Sequence, residues 1–199
     1  MKLQSATAFC GVFSMAQGMR IFTDSQIAHI GEVIPSEFTL RDGRSGHVYR
    51  QNTPCCVSPI PGWPGLDSSW TPSDEAVSYC DLSQAFGRED DYIGLGTVED
   101  CTTLRDYMLE TDGAFLLGPD GLLPGYYTGL IGHNTCVVSV GLDIAAPFDG
   151  LWVGNKDVAD VLTLALENYV KDDGMLFTEG YWPCTGPSGS GIPATWNVW

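Results

Sequence analysis

The chain has 199 residues, and its 25 Asp and Glu against 9 Lys and Arg give a formal net charge of −16. A surface this acidic repels phosphate backbones and anionic headgroups, so neither nucleic acid nor a charged membrane surface is an expected partner. Only 17% of the residues are charged, whereas glycine, proline, tryptophan and cysteine are frequent. This composition is typical of a compact secreted protein.

Residues 1–16 are predicted to be a signal peptide. Lys2 supplies a short positive region, Ala6–Phe13 a short apolar core, and Ser14 and Ala16 the small residues that signal peptidase requires. No later stretch reaches the roughly 20 apolar residues of a transmembrane helix, so no stable membrane insertion is expected. The protein is therefore expected to be extracellular.

Cleavage after Ala16 would remove Cys10 and leave an even number of cysteines, which in a secreted chain indicates disulfides. The predicted disulfide cysteines are Cys55, Cys56, Cys80, Cys101, Cys136 and Cys184. The chain has no Cys-x-x-Cys motif, and its histidines are not spaced as metal ligands beside cysteines. We therefore predict no metal site and no cofactor.

Residues 17–77 are predicted to form an irregular arm that contains one hairpin. Apolar and polar residues alternate at Phe38–Leu40 and resume at Val48, on either side of the turn residues Asp42–Gly46.

Prolines are dense between residues 54 and 72, which predicts an irregular connection there. Trp63 and Trp70 lie within it and are expected to pack onto the neighbouring domain. The adjacent Cys55 and Cys56 are expected to reach two different partners.

Residues 78–199 are predicted to form the main domain. Its first helix begins near Val98, with Thr97 as N-cap and Asp100 in the position of a capping-box acid, and ends by Gly113. The remaining predicted elements are strands 126–131 and 135–140, a helix from the N-cap Asn155 to Val170, and strands 175–184 and 194–199. This order predicts an α+β fold, a small disulfide-stapled α/β sandwich with two helices on one face of an antiparallel sheet.

Cys101, in the first turn of the first helix, allows two interpretations. A helix N-terminus can lower the pKa of a thiol and make it nucleophilic, or the cysteine can tie the helix to the sheet through a disulfide. Glu99 and Asp100 lie beside it, and their negative charges raise a thiol pKa. The disulfide is therefore favoured.

Other candidate groups do not form a recognisable catalytic set, so no catalytic residue is predicted. Among the scattered histidines, His133 lies in a predicted turn, where it could contact a partner. Ser188 and Ser190 resemble a nucleophile elbow only incompletely, and a loop is favoured. Glu89–Asp91 lacks the spacing of a calcium loop and is interpreted as a solvated acidic patch.

Several short motifs occur in a family-specific order. They are Cys80 with Ser83 and Phe86, Val98-x-Asp100-Cys101, Asn134–Val138, Val153–Val158, Cys184 and the closing Trp196–Trp199. Over residues ~78–199 this set resembles the putative necrosis-inducing factor family of fungal secreted effectors, also called the extracellular-protein-two effector domain.

The resemblance implies a cysteine-rich α/β sandwich, distantly similar to a virally encoded fungal killer toxin that blocks cation channels, with no agreed catalytic residues. That toxin is basic and this chain is acidic, so channel blocking is not expected. Among possible disulfides we favour Cys101–Cys184 and Cys80–Cys136, although spacing alone does not decide between the connectivities.

Two functions are consistent with these observations. The first is a secreted, non-enzymatic effector that binds a protein or cell-surface target of a host or competitor. The alternative is a secreted cell-wall glycan-binding protein or glycoside hydrolase. In that case, an aromatic platform would be formed by Trp152, Trp182, Trp196 and Trp199.

Overall fold

The computed structural model describes residues 33–51, 68–82, 86–89, 96–118, 122, 127–142 and 149–199. The predicted signal peptide, Cys55, Cys56, Trp63 and most of the acidic run Glu89–Asp91 lie outside these residues. In chain order the elements are β1 (Val33–Thr39), β2 (Ser45–Gln51), β3 (Ser68–Pro72), β4 (Phe86–Glu89), β5 (Gly96–Thr97), α1 (Val98–Glu110), β6 (Gly113–Leu117), β7 (Tyr127–His133), β8 (Cys136–Leu142), β9 (Leu151–Gly154), α2 (Asn155–Asn168), β10 (Met175–Leu176), β11 (Thr178–Thr185) and β12 (Gly191–Val198).

Seven of these strands form one antiparallel sheet in the order β1-β2-β7-β8-β12-β11-β4. Strands β3, β6 and β9 form a second sheet, and β5 pairs with β10. Helices α1 and α2 pack against each other, α1 also contacts β7 and β8, and α2 contacts β12. Since β8 and β12 are neighbours, both helices lie on the same face of the large sheet. The predicted α+β class is confirmed.

The predicted hairpin is present as β1 and β2. Its turn is closed by hydrogen bonds from Leu40 N to Arg44 O (2.8 Å) and from Gly43 N to Leu40 O (2.9 Å). Gly43 has a φ of 90°, which glycine adopts without steric cost. The hairpin extends the large sheet, because Tyr49 in β2 pairs with Gly132 in β7.

The prediction of an irregular connection was wrong for its last five residues, which form β3. Here Trp70 pairs with Phe115, and their rings meet edge to face at 4.7 Å between centroids. The packing of Trp70 onto the neighbouring sheet is thus confirmed. Proline is tolerated here because β3 pairs only with β6 among the described strands, and Pro72 is its final residue.

Helix α1 begins as predicted, with the Thr97 hydroxyl accepting a hydrogen bond from Asp100 N at 3.2 Å. Its C-cap is Thr111, in extended conformation, and Gly113 already starts β6. The helix therefore ends before Gly113, as predicted, although Gly113 is not its C-cap. With a φ of 154° and Trp70 closely packed against it, Gly113 starts the strand where a side chain would not fit.

Helix α2 begins one residue earlier than predicted, so the assignment of Asn155 as its N-cap was wrong. The N-cap is Gly154, whose N–H donates to the Asp157 carboxylate at 2.7 Å. A Cβ at residue 154 would lie 2.0 Å from Val77 O, so only glycine fits this position.

No helix in the described part of the chain is long and apolar enough to cross a membrane.

The turn between β7 and β8 is placed two residues later than predicted, at Asn134–Thr135. Asn134 has a φ of 46°, a left-handed conformation that asparagine tolerates better than most residues. Every residue of β8 is buried, so this strand lies in the centre of the fold.

The cysteines form the disulfides Cys80–Cys184 and Cys101–Cys136, and the two pairs favoured from sequence were wrong. Cys101, in the first turn of α1, lies over the start of β8, where Cys136 is its nearest partner. Cys80 lies opposite Cys184 in an isolated antiparallel bridge. Cys101 is nevertheless a staple between the helix and the sheet, as expected.

Removing the Cys101–Cys136 disulfide tests whether it anchors the helix to the sheet. This disulfide closes a loop with a sequence separation of 35. Loop-closure entropy predicts that Cys101→Ala with Cys136→Ala lowers the free energy of unfolding by about 4 kcal/mol. Urea unfolding of the oxidised proteins measures this loss, and a loss below about 1 kcal/mol would contradict the proposed anchoring.

Candidate functional site

The Asp157 carboxylate organises the N-terminus of α2. It accepts hydrogen bonds from Ser78 Oγ (2.6 Å), Tyr79 N (2.8 Å), Cys80 N (3.3 Å) and Gly154 N (2.7 Å). Asp157 is only 3% exposed. It therefore fixes the backbone of residues 78–80 against the start of the helix.

Asn155 extends the same arrangement toward α1 and β6. Its Oδ1 accepts from Val77 N (2.9 Å) and Gly113 N (3.4 Å), and its Nδ2 donates to Met108 O (3.1 Å). With an exposed fraction of 1%, Asn155 cannot contact a partner directly. Its side chain joins three elements instead.

Burial raises the pKa of Asp157, although its four hydrogen bonds favour the ionised form and partly offset the effect. A carboxyl with a raised pKa is a candidate general acid when it faces a cavity. Both oxygens of Asp157 are instead occupied by donors from the chain itself. We therefore assign Asp157 a structural role.

The segment that Asp157 holds forms one wall of an open cleft, hereafter the Tyr79 cleft. Its lining residues are Ser78, Tyr79, Cys80, Asp81, Pro183, Cys184, Thr185 and Gly191, and its volume is about 510 Å³. The Tyr79 ring stacks on Trp152, with 5.7 Å between centroids and 29° between planes. The cleft thus combines an aromatic side, hydroxyl groups and one disulfide.

A second polar cluster surrounds Asp100 at the start of α1. Asp100 accepts from Asn134 Nδ2 (3.0 Å), Thr135 N (3.2 Å) and Thr135 Oγ1 (2.5 Å). Burial opposes its ionisation, but hydrogen bonds from Thr135, Asn134 and Thr97 outweigh burial and lower the pKa of Asp100. The carboxylate therefore fixes the turn between β7 and β8 next to the Cys101–Cys136 disulfide.

His133 is the last residue of β7 and is buried, with 6% of its surface exposed, so the structure does not support the possible partner contact from an exposed turn. Its Nδ1 lies 2.8 Å from His47 O, a geometry in which the ring nitrogen donates to the carbonyl. Its Nε2 lies 3.2 Å from Asn134 Nδ2. Gly46 leaves room for the ring, because a Cβ there would lie 2.7 Å from His133 Cε1.

The other candidate groups remain apart. The exposed Ser188 and Ser190 hydroxyls hydrogen-bond to each other at 2.9 Å, and in the part of the chain that the structure describes neither has a basic side chain as a hydrogen-bond partner. Within the described ranges, no three His, Cys, Asp or Glu side chains converge as metal ligands.

The proposed tryptophan platform was wrong. Trp182 and Trp196 are fully buried and pack against each other with ring centroids 6.2 Å apart. Trp199 donates from Nε1 to Ser139 Oγ at 3.2 Å, whereas Trp152 stacks on Tyr79. Two of the four rings, Trp182 and Trp196, are thus core residues.

Comparison with protein families shows to which family the chain belongs. Residues 79–184 match the Hce2 family, described as pathogen effector and putative necrosis-inducing factor, over just over half of the chain. The chain belongs to this family. The comparison with curated proteins found no significant match.

The matched region of this effector runs from the residue before Cys80 to Cys184, so it spans both disulfides and both helices. The sequence correctly placed Asp100 and the start of α1, placed the start of α2 one residue late, and gave no role to Ser78, Tyr79 and Thr135. Of these, Thr135 had a local signal, since it lies between Asn134 and Cys136. The cleft residues had none, because their partners are far away in sequence.

Asp157→Asn tests the carboxylate at the start of α2. The amide would turn a donor toward backbone N–H groups that need an acceptor, so the free energy of unfolding should fall by about 3 kcal/mol. The matched control is Asp160→Asn on the same helix. Asp160 is partly exposed and pairs only with Lys156 at the surface, so its loss should be below about 0.5 kcal/mol. Equal losses in chemical denaturation would contradict the assigned role.

Asp100→Asn tests the cluster at α1 through pH. Because the pKa of Asp100 is lowered by folding, its contribution to stability is present above the ordinary aspartate pKa and is lost as pH falls through the folded value. At pH 6 the variant should be about 1–3 kcal/mol less stable than wild type, and the difference should shrink toward pH 2. The neighbouring exposed residue provides the control Glu99→Gln, which should show a much smaller difference. A pH-independent gap for Asp100→Asn would overturn this assignment.

Proposed function

We propose that the chain is a secreted fungal effector that binds a protein of a host or competitor and has no catalytic activity of its own. Membership of the pathogen-effector family supports the effector role. The two disulfides support an extracellular location, since such bonds persist in oxidising compartments.

One observation supports the proposal that the protein has no catalytic activity. The buried side chains of Asp157 and His133 and the partly buried side chain of Asp100 form their hydrogen bonds with groups of the chain itself. A general acid or base must instead reach a substrate atom at hydrogen-bonding distance. These three side chains therefore stabilise the fold and do not offer a reactive group to a substrate.

The Tyr79 cleft is the surface that we propose for contact with the partner protein. It is an open, shallow depression that includes Tyr79, and one side of it is fixed by Asp157 and a disulfide. Rigid aromatic side chains provide contact area at low entropic cost, and prior fixation reduces the ordering that binding requires. The net charge of −16 favours a partner with a basic surface.

Gly191→Trp tests the cleft without removing a native contact. Gly191 lines the cleft, and a Cβ there meets no atom within 4 Å, so an indole can be added at the rim of the cleft while the fold remains. We expect the variant to lose at least about tenfold in the dose that causes necrosis in infiltrated leaves or inhibits a competing fungus.

The matched control is Ser45→Trp, with the same added bulk at the exposed start of β2. This strand is four strand spacings, about 19 Å, away from β11 across the sheet. Wild-type potency in both variants would refute the cleft as the contact surface. Release of reducing sugar from cell-wall glycans by the wild type would refute the non-enzymatic mode.

A further inference from the structure

The two disulfides lie in different surroundings. Cys101 and Cys136 are both 0% exposed, between α1 and β8. Cys80 is 8% and Cys184 is 2% exposed, and both line the Tyr79 cleft. A thiolate must reach a sulfur atom to reduce a disulfide, and Cys80–Cys184 lies beside an open cleft whereas Cys101–Cys136 is fully enclosed, so Cys80–Cys184 is the nearer of the two to a reductant in solution.

Contacts that do not involve sulfur hold the two cysteines of the accessible pair opposite each other. On either side of them, Asp81 N donates to Pro183 O and Thr185 N donates to Tyr79 O, both at 2.8 Å. Asp157 also accepts from the backbone of Tyr79 and Cys80. Breaking the disulfide therefore leaves the two thiols facing each other, ready to form the bond again.

We propose that Cys80–Cys184 is a reversible redox bond that controls the Tyr79 cleft, whereas Cys101–Cys136 is a permanent structural bond. A dithiol reductant opens the first bond from the cleft. The control of partner binding rests on the function proposed above, but the selective reduction does not.

The exchange proceeds in two balanced steps. A thiolate of the dithiol attacks Cys80 Sγ, the bond between Cys80 and Cys184 breaks, and Cys184 leaves as a thiolate that takes up a proton. The second thiol of the reductant loses its proton and attacks the reductant sulfur in the mixed disulfide, so that Cys80 leaves and is protonated. The effector gains two electrons and two protons, and the dithiol becomes a disulfide.

Reduction removes the covalent link between the two walls of the cleft. One wall is the segment 78–81 with the Tyr79 ring, and the other is the end of β11. The flanking hydrogen bonds still hold the walls together, but without the covalent link the cleft becomes less rigid. The loss of a fixed shape lowers the affinity for the partner.

The first experiment measures selective reduction with dithiothreitol. Samples are alkylated at intervals, and peptide mapping reports the modification of each cysteine. We expect Cys80 and Cys184 to be alkylated at least about tenfold faster than Cys101 and Cys136. Fluorescence of the buried Trp182 and Trp196 should stay native while this occurs, and oxidation should restore the bond. Equal rates, the opposite order, or unfolding together with the first reduction would overturn the proposal.

Gly191→Trp and Ser45→Trp test whether the reductant enters through the cleft. An indole at residue 191 should slow the reduction of Cys80–Cys184 at least about fivefold, whereas the same side chain at residue 45 should leave the rate unchanged. Equal slowing of the reduction in both variants, or no slowing in either, would refute entry of the reductant through the cleft.

A third measurement separates this proposal from the proposed function. Cys80→Ala with Cys184→Ala removes the bond permanently and should weaken necrosis or growth inhibition by about tenfold. Full potency of this variant, with selective reduction established, would overturn control by the bond. Full potency of Gly191→Trp would overturn the binding role of the cleft, while the rate difference between the two disulfides would stand.

Discussion

The buried carboxylate of Asp157 is the interaction on which the rest of this fold depends. An ionised group in the interior is costly unless donors surround it, and here the backbone N–H groups of Tyr79 and Cys80, distant in sequence, and of the nearby Gly154 supply them. The carboxylate can be satisfied only when residues 78–80 lie against the start of α2. A single side chain thus sets the place of a segment that lies almost eighty residues earlier in the chain.

The position of that segment determines which cysteines meet. Once Cys80 is held by Asp157, it lies opposite Cys184 in β11, and Cys101 is left to join the nearby β8. Each helix therefore has one polar cluster and one disulfide at its start. Surface charges add little to it, since ion pairs such as Lys156–Asp160 are exposed and solvent-screened.

Local sequence signals predicted the elements that depend on neighbouring residues. The Thr97 cap, the hairpin around Gly43 and the spacing of apolar residues in both helices are examples, since each involves residues a few positions apart. The disulfide partners, the place of Trp182 and Trp196 in the core, and the Tyr79 cleft could not be predicted in this way. Each depends on which distant strands become neighbours, and the burial of Gly154 against Val77 leaves no local pattern.

Strand β12 has a consequence for the order of folding. It separates β8 from β11 in the sheet but follows both in sequence. During synthesis, the two halves of the large sheet therefore cannot be joined until β12 has emerged. The partner of Cys80 is 104 residues away and is synthesised late, whereas the partner of Cys101 follows after 35 residues. A chain with such distant contacts folds slowly, and early oxidation would trap Cys80 with the wrong cysteine. Formation of the native pairs is therefore expected to need disulfide isomerisation as well as oxidation.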